Sequence, residues 1–221
     1  MFRSMLPALA AAFALSTDGL PALAADTTTD WHLLRSVDGD PRVTDDAIPL
    51  HPASGGLALA VVDGLWHLVP ATLSVRKADG EPGFRYVTAT PPDAAAYLHI
   101  PGLTAGKVDA ADMRFRGADH AITRQGINIP FKGASWHLDT QGGKVMLGNG
   151  GRRQPLGDAC PGDDDMCSIH LAWAGDLDRD GKPDFLVVNT SDDSGVECLY
   201  LSSRAKPGEF VGEAACADHS H

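Results

Sequence analysis

Trp173-Ala174-Gly175-Asp176-Leu177-Asp178-Arg179-Asp180-Gly181-Lys182-Pro183-Asp184-Phe185-Leu186-Val187-Val188 is the stretch on which the reading of this chain turns. Ahead of it, Ile169, Leu171 and Trp173 recur at every second position, the period of a strand. Behind it, Phe185 to Val188 form a continuous apolar run, the pattern of a buried strand. The loop Asp176–Asp184 therefore reads as a hairpin tip. Asp occupies its first, third, fifth and ninth positions and Gly181 its sixth. That alternation turns carboxylates toward one point, and the glycine permits the sharp turn that a hard, oxygen-seeking cation needs. A solvated turn would use Asp and Gly for turn geometry alone. Two carboxylates about 5 Å apart, however, repel by roughly 3 kcal/mol at an effective dielectric near 20. Four of them in one loop favour a bound cation. The sequence thus predicts Ca2+ held by Asp176, Asp178, Asp180 and Asp184, with the backbone carbonyl of Lys182 as a further ligand.

Position twelve of the loop is Val187 rather than a bidentate Glu, and strands rather than helices flank it, so an EF-hand is excluded. The segment 173–188 instead resembles the FG-GAP/VCBS repeat of integrin α-chain propellers, whose D-x-D-x-D-G-x-x-D calcium loop lies between two strands. All five defining positions are present, in a single copy. The resemblance implies a calcium loop on a β scaffold.

The start of the chain has the order of a secretory signal peptide. Arg3 precedes the apolar run Leu6 to Leu15, and Ala22-Leu23-Ala24 supplies a small-x-small cleavage site before Ala25. The run is too short for a membrane span. The expected organisation is a leader over 1–24, a loose N-terminus over 25–30, one β-rich domain over 31–218 and a frayed tail over 219–221. The expected location is periplasmic or secreted. With 18 basic against 29 acidic residues, the formal net charge is −11. Such a surface argues against nucleic acid or anionic membranes as partners and suits cations or basic proteins. Cys160, Cys167, Cys198 and Cys216 form an even set that an exported chain would oxidise. Four cysteines allow three connectivities; neighbour pairing, Cys160–Cys167 and Cys198–Cys216, is the expected one.

Short apolar segments separated by Gly, Pro, Asn and Asp predict an all-β fold. Strands are expected at 56–62, 65–69, 71–75, 84–88, 97–100, 113–116, 135–138 and 144–147. Turns are expected at Asp79-Gly80, Gly142-Gly143 and Asn149-Gly150, and a short helical turn is admissible over Pro92 to Tyr97. Trp31-His32-Leu33, Trp66-His67-Leu68 and Trp136-His137-Leu138 repeat one tripeptide, and Leu98-His99-Ile100 and Ile169-His170-Leu171 resemble it. This spacing suggests an irregular small β-propeller-like array. The alternative is a β-sandwich or barrel, in which the tripeptide is ordinary strand alternation.

No sequence motif assembles a catalytic constellation, so the enzyme reading is the weaker one. Gly102-Leu103-Thr104-Ala105-Gly106-Lys107 is one residue short of a phosphate loop and reads as a turn. Arg152-Arg153 and Asp163-Asp164-Asp165 read as surface loops, and the strand histidines as half-buried, hydrogen-bonded groups. The function expected is an exported calcium-binding β protein that binds a protein or glycan of the cell envelope. Its layout is similar to that of immunity proteins that inhibit cell-wall hydrolases. The alternatives are an envelope-acting hydrolase and an FG-GAP-type adhesion module.

Overall fold

A computed structural model describes residues 33–34, 42–44, 56–77, 84–92, 94–112, 120–159, 167–191 and 194–220, and everything below concerns those residues. The first strands are β1 (Leu33–Leu34), β2 (Arg42–Thr44), β3 (Leu57–Val62), β4 (Leu65–Pro70), β5 (Thr72–Lys77) and β6 (Phe84–Thr90). Next come β7 (Ala96–Leu98), β8 (Gly106–Lys107), β9 (Asp109–Ala110), β10 (Ile127–Phe131), β11 (Ala134–Gln141), β12 (Lys144–Asn149) and β13 (Arg152–Asp158). The chain closes with β14 (Ser168–Asp176), β15 (Asp184–Thr190), β16 (Ser194–Leu201) and β17 (Gly212–Ser220). The all-β expectation holds. The one helical element among the described residues is a 3-10 turn at Ser202–Arg204, whereas Ala96 and Tyr97, in the segment read as an admissible helical turn, lie in β7. Tight hairpins follow from paired positive φ angles, which match the right-handed twist of the strands. Asp63-Gly64, Lys132-Gly133, Gly142-Gly143 and Gly150-Gly151 each supply such a pair. The expected turn at Asn149-Gly150 is displaced by one residue because Asn149 still belongs to β12. Asp79-Gly80 and the segment 113–116 lie outside the described residues.

The strands form four antiparallel sheets, ordered β1-β7-β3-β4-β8, β2-β6-β5, β10-β11-β12-β13 and β17-β16-β15-β14-β9. Among the described residues the backbone ladders of these sheets stay separate, and no closed barrel or propeller is shown. The last sheet is central, because each of its faces meets a different core. One face places Leu171, Phe185, Val187 and Tyr200 against Ile129, Phe131, Leu138 and Leu147 of the β10–β13 sheet. The other places Trp173, Leu186 and Leu199 against Leu59, Leu68 and Leu98 of the first sheet. Burial on both sides explains the unbroken apolar run of β15. The first sheet in turn buries Ala58, Ala60 and Tyr97 against Leu73, Val75 and Ala89 of the β2-β6-β5 sheet.

A bulge between Leu171 and Trp173 in β14 breaks the alternation that the sequence suggested. Simple period-two alternation would put both side chains on one face. The extra residue instead sends Trp173 into the opposite core, edge-on to Trp66 with ring centroids 6.3 Å apart. Every later residue of β14 changes face with it, so Ala174 packs on the β10–β13 side. Asp176, two residues further on, is turned to the same side.

The recurring tripeptide does not mark one unit per sheet. Leu33 and Leu98 are direct partners in the first sheet, which also contains Trp66-His67-Leu68. The other two copies lie in β11 and β14. In β4, β11 and β14 the flanking residues share one face of the strand and the histidine takes the opposite one, which is strand alternation. Cys198 and Cys216 face each other across β16 and β17 and are disulfide-bonded, with Cα atoms 4.1 Å apart, as neighbour pairing expected. Cys167 is also disulfide-bonded, while Cys160 lies outside the described residues. The strand β17 takes in His219 and Ser220, two of the three residues read as a tail.

Candidate metal centre

The predicted loop is a hairpin connection, entered from the end of β14 and left through the start of β15. Asp176 and Asp184 close its two ends and are 3 % and 0 % exposed. Gly181 has φ of +89°, which is why a glycine stands at the sixth position. Arg179, at the fourth, also adopts a positive φ of 63°. Carboxylate oxygens fold the loop from within. The N–H of Asp180 donates to Asp178 Oδ1, that of Gly181 to Asp176 Oδ2, and that of Lys182 to Asp180 Oδ1.

Asp184 joins the loop to its surroundings. Its Oδ2 accepts the N–H of Leu177 and its Oδ1 the N–H of Ser202, both at 2.7 Å. Asp178 Oδ2 accepts the N–H of Ser203 at 3.4 Å. The buried side chain of Ser202 sits against Asp180 and Asp184. The short helical turn after β16 thus forms one wall of the loop, a relationship that the sequence did not reveal.

Of the five expected ligands, the structure brings Asp176, Asp178 and Asp184 together, with a carboxylate oxygen from each within 4.8 Å of the others. Asp180 and Lys182 lie outside this triad and engage one another, the Lys182 ammonium standing 3.4 Å from Asp180 Oδ2. Lys132, from the β10–β11 turn, donates to Asp176 Oδ2 at 2.8 Å and stands 3.1 Å from Asp109 Oδ2. Arg179 points away from the acids. Its guanidinium donates to the Lys107 carbonyl and to the hydroxyl and carbonyl of Thr104, at 3.0, 2.7 and 2.9 Å. The segment 102–107, which reads in sequence as a plain turn, is therefore the platform on which the loop is clamped.

Charge crowding shows in the acid–base properties. Burial pushes the Asp184 carboxyl up to about 7, the neighbouring Asp178 charge adds to this, and the N–H groups of Ser202 and Leu177 oppose it. At Asp180, partial burial pushes upward but is outweighed by the N–H and ammonium of Lys182, which hold it below the usual range. The bond to Asp176 raises the Lys132 ammonium above its ordinary value.

The residues present fit a hard cation. Asp176 Oδ1 is buried and accepts no hydrogen bond among the described residues, a costly state for a carboxylate oxygen. Cation binding would satisfy it, and the three-carboxylate oxygen set is of the kind taken by Ca2+ or Mg2+.

Beside this centre lies an open cleft of about 530 Å³ between the β3–β4 and β10–β11 hairpins, with 107–110 along it. Leu65, Trp66, Phe131, Lys107, Asp109 and Lys132 are among its lining residues. Exposed Val61, Val62 and Leu65 make the neighbouring hairpin tip apolar, at 56, 38 and 47 % exposure. The remaining sequence candidates have structural roles. Arg152 donates to the Gly208 carbonyl at 2.6 Å and stacks over Phe210, while Arg153 pairs with the buried Asp139. Both residues open β13 rather than a surface loop. His137 bonds to Asn128 and Asp139, and His170 to Ser168, in different sheets. No histidine joins a metal-type cluster among the described residues. Asp163-Asp164-Asp165 lies outside those residues.

Compared with protein-family models, curated proteins and solved structures, the chain matches none.

Proposed function

We propose that this chain is an exported calcium-binding β protein that acts by binding another protein. The observation that carries the metal reading is the triad Asp176, Asp178 and Asp184, with a buried Asp176 oxygen that accepts no hydrogen bond among the described residues. Calcium here is structural. It joins the ends of β14 and β15 to the short helical turn after β16, and it neutralises carboxylates that otherwise repel. The single D-x-D-x-D-G-x-x-D loop between two strands supports calcium and the FG-GAP/VCBS likeness. Export rests on the leader-like segment 1–24, which lies outside the described residues.

Binding to a protein is favoured over a glycan by the surface on offer. An apolar hairpin tip beside an open cleft, on a chain of net charge −11, suits a partner with an apolar contact and a basic rim. Inhibition of a cell-wall hydrolase, the immunity-type role, is the version we adopt. The test uses purified protein melted with calcium and with a chelator, and assayed for inhibition of a lysozyme-like hydrolase. Calcium is expected to raise Tm by several degrees, the effect of roughly 2.7 kcal/mol at a hundredfold excess over Kd. Inhibition at sub-micromolar concentration without cleavage of peptidoglycan is expected. Identical melting curves would remove the calcium reading; calcium-dependent cleavage would make the protein a hydrolase.

A further inference from the structure

Lys132 is a cation at this centre that the loop motif does not contain. It lies forty-four positions from Asp176 in sequence and adopts a positive φ of 45° at the tip of the β10–β11 hairpin. A long side chain in that conformation is uncommon, and the tight hairpin turn formed with Gly133 accounts for it. Its ammonium donates to Asp176 Oδ2, while Oδ1 of the same carboxylate is buried and accepts no hydrogen bond among the described residues. Asp109 holds the ammonium from its other side, and the Phe131 ring lies 5.1 Å away. Of the loop's own cations, Arg179 is held by Thr104 and Lys107 and Lys182 faces Asp180. The four loop aspartates and Asp109, set against Lys132, Lys182 and Arg179, leave a formal charge of −2.

We propose that Lys132 is a positioning and specificity-determining residue of the metal centre. It occupies one oxygen of Asp176 so that the other is presented to the ion, and it sets the loop's charge to match a divalent cation. Resting on the metal-centre reading, this deepens it from a calcium loop to a centre tuned by a residue of another sheet. Without the ammonium the loop carries one more negative charge, and a trivalent ion gains from that charge more than a divalent one does.

The test measures calcium and lanthanum(III) affinities by titration calorimetry for the native protein, Lys132→Asn and Lys132→Arg. Asn tolerates positive φ, so the turn is kept while charge and reach are lost; Lys132→Gln is the second charge-removing variant. Loss of the ammonium is expected to raise the lanthanum-to-calcium affinity ratio roughly tenfold, the order set by one charge acting across partly solvated protein. Lys132→Arg is expected to keep the native ratio. If the native protein binds neither ion, the metal centre itself is wrong. If it binds both and the charge-removing variants leave the ratio unchanged, the centre stands and the role of Lys132 is refuted.

Discussion

Gly175 lies so close to the carbonyl oxygen of Asp109 that no β-carbon fits between them. A Cβ at 175 would land on that oxygen and on the Trp173 ring. The approach is part of the β14–β9 pairing, in which Gly175 and Asp176 face Ala110 and Asp109. It lets β9 complete the edge of the central sheet and bring Asp109 to Lys132. Gly175→Ala is therefore expected to destabilise by about 3 kcal/mol or more, since the clash is with backbone. Chemical denaturation compared with the native protein checks this; an unchanged midpoint would show that β9 yields without cost.

Arg179 is the clamp between the acidic loop and the segment 104–107. Three hydrogen bonds anchor it, and Gly106 leaves the room, since a Cβ there would stand 3.0 Å from the guanidinium. The side chain is exposed, so the loss in Arg179→Ala is expected to be modest, about 1 kcal/mol. Its larger effect falls on local order: faster amide exchange across 177–182 and weaker calcium binding, with little change in the global midpoint. Hydrogen exchange read residue by residue separates this from a general loss of stability.

The strands β3, β4, β11, β12, β14 and β15 and the acidic loop were legible in the sequence because their signals are local, whereas β10 and β16, which bring Ile129, Phe131, Leu199 and Tyr200 to the cores, were not expected. Asp and Gly spacing defined the tip, and the run Phe185 to Val188 defined β15. The partners of the loop were not legible. Lys132 and Ser202 reach it from distant positions, and a bulge between Leu171 and Trp173 decides which face Asp176 takes. The strand β17, Gly-Glu-Ala-Ala-Cys-Ala-Asp-His-Ser, has neither apolar alternation nor β-branched residues. Pairing with β16 and the Cys198–Cys216 bridge specify it instead. The strands β8 and β9 have two residues each, too few for any period.

Acid–base behaviour gives a third expected outcome. The folded Asp184 carboxyl titrates near 7 against an ordinary value of 3.8. Between those values the metal-free native chain holds a proton that the unfolded chain has released. Stability from this group therefore falls as pH rises from about 4 to 7, by up to about 4 kcal/mol. The lowered Asp180 acts with opposite sign but below pH 4, outside this window. In the proposed metal centre calcium would bind the ionised Asp184 carboxylate and so compete with that proton. The calcium-induced rise in Tm is expected to grow from pH 5 to pH 8. Melting curves at unit pH steps, with chelator and with calcium, measure it; a calcium effect that stays constant with pH counts against Asp184 as a ligand.

Partner binding and metal binding should separate by mutation. Leu65 is about half exposed at the tip of the β3–β4 hairpin, beside the cleft and outside the acidic loop. Replacing it with a charge removes little buried area from the folded chain, so stability is expected to move by less than about 0.5 kcal/mol. An exposed apolar side chain central to a protein contact behaves differently, because binding is where it leaves water. Leu65→Asp is expected to weaken hydrolase inhibition by at least roughly tenfold, the effect of losing one anchor of an interface. Its calcium-dependent melting should match the native curve. Asp176→Asn gives the reverse pattern: a reduced calcium effect on Tm, with inhibition retained where the variant is folded. If Leu65→Asp inhibits as well as the native protein, the apolar tip is not the contact; if Asp176→Asn alone abolishes inhibition while folded, the metal loop itself touches the partner.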